Sequence, residues 1–254
     1  MDNPSQPARP DAIFGKGIWY VPAWVGLGLV FYLLNQLAGS QIRSPYWFSE
    51  LVLYALLLIG LWANRRYNIR KAIPLPRQWA PVLYIFLVWL FGMLFEASLT
   101  VTGQGIGGVH PQTLASFILA QGDYLPLAIV SWWVIRKLHP AFSELYFLSA
   151  GISLTEGLIF TGALTAMILS PQFFLAPLGL AYYALAYSSF IALPLLIIDE
   201  QLLWDARQVK PYPVPLYWLL GFGIAILVRL FWGLVYSPLV ARLFDLPPNI
   251  LVVH

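Results

Sequence analysis

The sequence predicts an all-α polytopic transmembrane helix bundle of about seven spans, with a cytoplasmic amino terminus and a carboxyl terminus outside. Three observations carry that expectation. The 254 residues are 60% hydrophobic and only 10% charged, whereas a water-soluble domain devotes about 25% of its residues to charge. Mean hydropathy is +0.75, so lipid must solvate most of the surface. The apolar residues gather in runs long enough to cross a hydrocarbon core of about 30 Å, which takes roughly 20 helical residues. Finally, lysine and arginine fall in short clusters in every second interval between those runs, which puts them on one side.

Residues 1–17 are polar and Pro-containing. They are read as a cytoplasmic segment preceding an uncleaved first anchor, because no small-residue cleavage signal follows the first apolar run. The spans fall at 18–38, 47–64, 79–100, 111–135, 142–170, 174–198 and 215–236. Together they form one transmembrane domain over 18–236. Arg9 and Lys16 precede the first span. Arg65, Arg66, Arg70, Lys71 and Arg77 lie between the second and third, Arg136 and Lys137 follow the fourth, and Arg207 and Lys210 follow the sixth. With this count all of them fall on one face, which the positive-inside rule makes cytoplasmic. Arg43 and Arg242 lie opposite, and Trp19, Trp24, Trp47, Trp79 and Trp218 sit near span ends, as interfacial aromatics do. The tail 237–254 places Leu239, Val240, Leu243 and Phe244 on one helical side and Arg242 and Asp245 on another. It is expected either as a short helix on the outer leaflet or folded into the bundle mouth.

The same pattern sets the partners and the location. Membrane lipids surround the chain, and a multi-pass place in a bacterial inner membrane or its equivalent follows. The net charge of +3 and pI near 9.1 do not imply nucleic acid, since the basic residues form no continuous face. The absence of cysteine excludes disulfides, thiolate metal sites and cysteine nucleophiles. His110, His139 and His254 all lie outside the spans, with His139 on the opposite side from the other two. No metal site or cofactor is therefore expected. All four lysines sit at the cytoplasmic boundary, which argues against a buried Schiff base.

Small residues predict close packing. In the fifth span Ser153, Gly157, Thr161 and Thr165 recur every four residues and stack into one stripe. The sixth span, rich in alanine, glycine and serine, is its expected partner. Tyr182, Tyr183 and Tyr187 add hydroxyls there.

Four ionisable residues interrupt the apolar spans: Glu96, Asp123, Glu156 and Arg229. At 1.5 Å per residue they lie roughly 6, 18, 21 and 11 Å from the outer ends of their helices. Arg229 cannot shed its proton to escape lipid, so it is expected to pair with Glu96 or Glu156. Such a pair is either a clasp that fixes helix registry or part of a ligand pathway. In the fourth span, Ala120-Gln121-Gly122-Asp123-Tyr124-Leu125-Pro126 predicts a kink or break. Proline removes a backbone donor and collides with the carbonyl four residues back. Gln121 and Asp123 at such a break join the candidate pathway residues, and Asp123 has a capping role as its alternative.

Other motifs carry less. Gly103-Gln104-Gly105-Ile106-Gly107-Gly108 matches a dinucleotide fingerprint only formally, because it follows a span and lacks the strand-loop-helix context. Gly151-Ile152-Ser153-Leu154 has no base for a serine nucleophile. Asp199-Glu200 reads as a solvated helix end.

Three functions compete on this reading. The first is binding or translocation of a small solute or ion through a polar cavity lined by Gln121 and the four charged residues. The second is an intramembrane enzyme acting on a lipid or isoprenoid, with Glu156 or Asp123 as general acid/base and Arg229 holding an anionic group. The third is a structural or assembly subunit packed against a membrane-protein partner.

Overall fold

A computed structural model describes residues 76–101, 113–138, 142–160 and 213–245, with isolated positions elsewhere. The expected first, second and sixth spans fall almost wholly outside the described residues. So do the glycine-rich loop, the three histidines, Asp199-Glu200, the three tyrosines of span six, and Thr161 and Thr165 of the small-residue stripe. Among the described residues the structure is helical, without strands.

Four helices make up this part. The first, α1, is Ala80–Val101. It follows a turn in which the Trp79 amide donates to the Pro76 carbonyl at 2.8 Å and the Trp79 carbonyl accepts from Leu83 at 2.9 Å. The second, α2, is Thr113–Leu138, with Arg136 and Lys137 in its last turn, where cations favour the helix dipole. The third, α3, is Phe142–Leu154, continued by a π-helical segment Thr155–Phe160. The fourth, α4, is Val214–Phe231, which runs through a second π segment, Trp232–Tyr236, into Ser237–Leu243. Proline at the first turn of α4 suits a position whose amide has no helical partner. The helix ends where Asp245 takes a left-handed φ of 48°, a conformation aspartate tolerates better than most residues.

Among the described residues two stretches are long and apolar enough to cross a membrane, Phe117–Leu138 and Pro215–Leu243; the apolar stretch Ala80–Leu94 is shorter. At 29 residues and 1.5 Å per residue, the last extends about 44 Å, well beyond a hydrocarbon core of about 30 Å. Its length includes part of the expected separate tail. Residues 237–243 continue α4, and Val240 is buried against Leu119 and Trp232. Arg242 and the exposed Leu239 and Leu243 stand on its outer side. Residues 246–254 lie outside the described part.

α2 is helical throughout, Pro126 included, so of the expected kink or break the break does not occur. One missing donor in the middle of a 26-residue helix leaves the bonds on either side to carry the backbone, as membrane helices commonly allow.

The packing is set by glycines where backbones meet. A Cβ on Gly221 would fall 2.2 Å from the Leu148 carbonyl oxygen and 3.1 Å from Gly151 Cα, and one on Gly151 would fall 2.3 Å from the Trp218 carbonyl oxygen. The α3 and α4 backbones therefore touch, and only glycine fits at both places. Contacts advance together along the two helices, from Leu148 and Gly151 against 218–222 to Ile152 and Glu156 beside Ala225 and Val228. The helices thus run parallel. α2 and α4 run antiparallel, since Ile118 meets Tyr236, Leu119 meets Trp232 and Asp123 meets Arg229. Ser153, from the stripe, is buried, but the chief described neighbour of α3 is the seventh predicted span.

Within α3, the hydroxyls of Ser149 and Thr155 donate to the carbonyls of Leu145 and Gly151, at 2.8 and 2.7 Å. These bonds satisfy polar groups inside an apolar seam. The core around them gathers Tyr84, Val88, Tyr124, Leu127, Leu148, Ile152, Ile224 and Val228. Tyr84 also donates to the Ile191 carbonyl at 3.0 Å, tying α1 to a residue of the sixth predicted span.

Candidate functional site

The four charges predicted from sequence converge where α1, α2, α3 and α4 meet. Glu96 on α1 is buried and accepts a hydrogen bond from the Tyr124 hydroxyl at 3.1 Å. Tyr124 reaches it because Gly92 leaves room for its ring: a Cβ there would lie 2.4 Å from Tyr124 Cδ1. One residue earlier on α2, Asp123 Oδ2 meets Arg229 Nη1 at 3.4 Å, with both side chains 15% exposed. That distance is long for a hydrogen bond and describes an ion pair more than a tight fork.

Asp123 is a partner of Arg229 that the expectation, which named Glu96 or Glu156, did not include. Counting Cα rise placed Asp123 deeper than Arg229. But a helical side chain leans toward the N-terminus of its own helix, and in an antiparallel pair that tilts the long guanidinium and the carboxylate toward each other. Both glutamates are nonetheless near. Asp123 is within electrostatic reach of Glu96, and Glu156 is within reach of Asp123 and Arg229.

Arg229 is held from a second direction. Its guanidinium carbon lies 4.6 Å from the Trp232 ring centroid, a cation–π contact that strengthens as water is excluded. Trp232 is itself anchored, since its Nε1–H donates to the Leu119 carbonyl at 2.9 Å. One turn on, the Tyr236 hydroxyl donates to the Ile118 carbonyl at 2.7 Å. Both rings lie against Gly122, where a Cβ would come within 2.3 Å of Tyr236 Cδ1 and 2.7 Å of Trp232 Cδ1. The missing side chain of Gly122 thus lets α4 dock close enough for its arginine to reach the neighbouring aspartate.

Beside this pair is a cavity of about 10 Å³, lined by Asp123, Tyr124, Leu127, Ile152, Glu156, Ala225 and Val228. It has room for about one water molecule. Asp123 Oδ1 and Glu156 Oε1 are buried and accept no hydrogen bond. Two carboxylates thus line one small apolar-walled space, each with an oxygen in need of a donor.

Both π segments adjoin the cluster. Glu156 is the second residue of one, and the other begins three residues after Arg229. A π turn shifts the side-chain register of a helix and is frequent at functional sites.

Gln121 stands apart. Its Oε1 accepts from Trp89 Nε1, and its Nε2 donates to the Phe117 carbonyl at 2.9 Å and contacts Met93 Sδ at 3.2 Å. Two residues from Asp123, it faces another side of α2 and joins α1 to α2; it is not among the residues lining the cavity.

Tyr124, Trp232, Gly92 and Gly122 all position the cluster, a role that the sequence reading gave to none of them. The available signals were the three-residue spacing of Arg229 and Trp232, which shares a helix face, and the adjacency of Gly122 to Asp123. Among the described residues no group of three or more His, Cys, Asp or Glu side chains could hold a metal ion. No protein-family model, curated protein or solved structure matches the chain.

Proposed function

We propose that this chain is a multi-pass integral membrane protein whose charge cluster binds a small ion and passes it across the bilayer. The observation that carries the reading is the meeting of Glu96, Asp123, Glu156 and Arg229, one from each of four helices, with Asp123 and Glu156 lining a water-sized cavity. Ionisable groups are rare inside membrane bundles and by default mark ion paths.

Several features support the multi-pass part. Leu219, Leu227, Leu230 and Leu234 of α4 are each more than half exposed, an apolar surface that suits lipid and not water. α3 and α4 run parallel, so the chain between them must return to its starting side, as the predicted sixth span does. The clusters of lysine and arginine between spans favour the cytoplasmic amino terminus and outer carboxyl terminus.

The cavity's size favours an ion over a larger solute or a lipid, because sites for drug-sized molecules enclose about 300 Å³ or more. A second reading, a structural clasp within a bundle or assembly, draws on the way Asp123 and Trp232 together hold Arg229.

Proteoliposomes loaded with ion-sensitive dyes separate the two. The ion-path reading expects flux of one small ion above empty liposomes, lost in Asp123→Asn and in Glu156→Gln while the helical circular dichroism stays unchanged. Absence of flux for protons, alkali cations and halides alike, with loss of thermal stability the only effect of these changes, would leave the clasp.

A further inference from the structure

We propose that the ion held by this cluster is a proton, shared between Asp123 and Glu156 across the cavity, with Arg229 as the fixed counter-charge. The inference rests on the ion-binding reading and names its ligand.

Three observations lead to it. The first is room. A space of about 10 Å³ accepts one water-sized species, a water, a hydronium or a single bare ion.

The second is the ligand count. A magnesium ion takes six oxygens and a calcium ion six to eight. Here Asp123 Oδ1 and Glu156 Oε1 are the oxygens left without hydrogen bonds, and Leu127, Ile152, Ala225 and Val228 make up most of the wall.

The third is charge. Three carboxylates face one guanidinium. Tyr124 spends its hydroxyl on Glu96, and Asp123 Oδ2 takes the arginine. Two carboxylates at one buried site cannot both remain ionised at low cost. A proton removes one charge and, as O–H, supplies the donor that the opposing oxygen lacks.

Among the described residues the titratable and charged groups facing the pair are Glu96 from α1, Tyr124 from α2 and Arg229 from α4. The uptake step is a transfer from hydronium to carboxylate that leaves water and a carboxylic acid, with no other bond broken. Tyr124 lines the cavity and donates its hydroxyl to Glu96, which sets Glu96 beside the pair.

Infrared spectroscopy of the full chain in lipid nanodiscs tests the proposal. The expected result is a C=O band from a protonated carboxyl group at neutral pH, shifted in D₂O and unchanged when sodium replaces potassium or magnesium is added. The band is lost or displaced in both Asp123→Asn and Glu156→Gln, because either change removes one of the two sharers. Where Glu156→Gln fails to fold, Glu156→Asp keeps the carboxyl group and moves the band. Absence of the band at every pH where the helices persist would overturn the proposal, as would a band indifferent to all of these substitutions or one abolished by sodium. A band without ion flux keeps the shared proton and refutes translocation; flux of an alkali cation without a band refutes the proton and keeps translocation.

Discussion

Replacing Arg229 with glutamine should destabilise the fold more than replacing Asp123 with asparagine, and the two effects should not add. At the observed 3.4 Å, Coulomb's law with an effective dielectric constant of about 20 gives an attraction of about 5 kcal/mol. Desolvation of both groups offsets much of this, leaving a coupling of about 1–3 kcal/mol. The single changes differ because of what each leaves behind. Without Arg229, three carboxylates face one another with no cation, and a loss of about 3–5 kcal/mol is expected. Without the Asp123 charge, Glu96 and Glu156 still compensate the guanidinium, so the loss should be nearer 1–3 kcal/mol. Unfolding of the single and double variants in mixed detergent micelles, assembled as a double-mutant cycle, measures the coupling directly. The Arg229→Gln deficit should also shrink as pH falls, since protonation neutralises the stranded carboxylates. Additivity within about 0.5 kcal/mol, or a larger loss from Asp123→Asn than from Arg229→Gln, would refute the electrostatic reasoning.

Other expectations concern packing and topology. Gly221→Ala places a methyl group 2.2 Å from the Leu148 carbonyl oxygen and should cost about 1–3 kcal/mol through forced separation of α3 and α4. Gly223→Ala, where nothing lies within 4 Å, should instead be neutral or stabilising by about 0.5–1 kcal/mol; equal losses in thermal unfolding at the two sites would contradict the packing described. Trp232→Phe removes the donor to Leu119 and weakens the π face under Arg229, so a loss of about 1–2 kcal/mol is expected in the same assay. Because the chain has no cysteine, single cysteines at Lys137, Lys210 and Gly105 report sidedness cleanly. Impermeant thiol reagents should reach the first two from one face and the third from the other, and labelling of all three from the same face would rule out the seven-span topology.

Much of the fold was legible because apolar run length depends on composition alone. The limits of α1 and α2 fall within about three residues of the runs that predict them, and α4 starts where Pro213 and Pro215 place it. What escaped depends on hydrogen-bond register and side-chain direction. The π segments 155–160 and 232–236 have no marker in residue type, and Pro126 looks like a breaker until the helix closes around it. The charged residues were legible as a set, since each is an anomaly in an apolar run, but the pairing was not. Asp123 was assigned to the expected break at Pro126, as a pathway or capping residue, and so was passed over as a partner of Arg229. Gln121 drew attention through its neighbours Asp123 and Pro126, while its amide serves α1.

Proton conduction by the cluster is the central claim. The most direct test is the reversal potential of current through planar bilayers containing the protein, measured under opposing proton and alkali-cation gradients. A reversal potential that follows the pH gradient, ignores sodium and potassium, and disappears with the current in Glu156→Gln is the predicted result. A reversal potential set by sodium or potassium, or a bilayer with folded protein and no proton current, would contradict it.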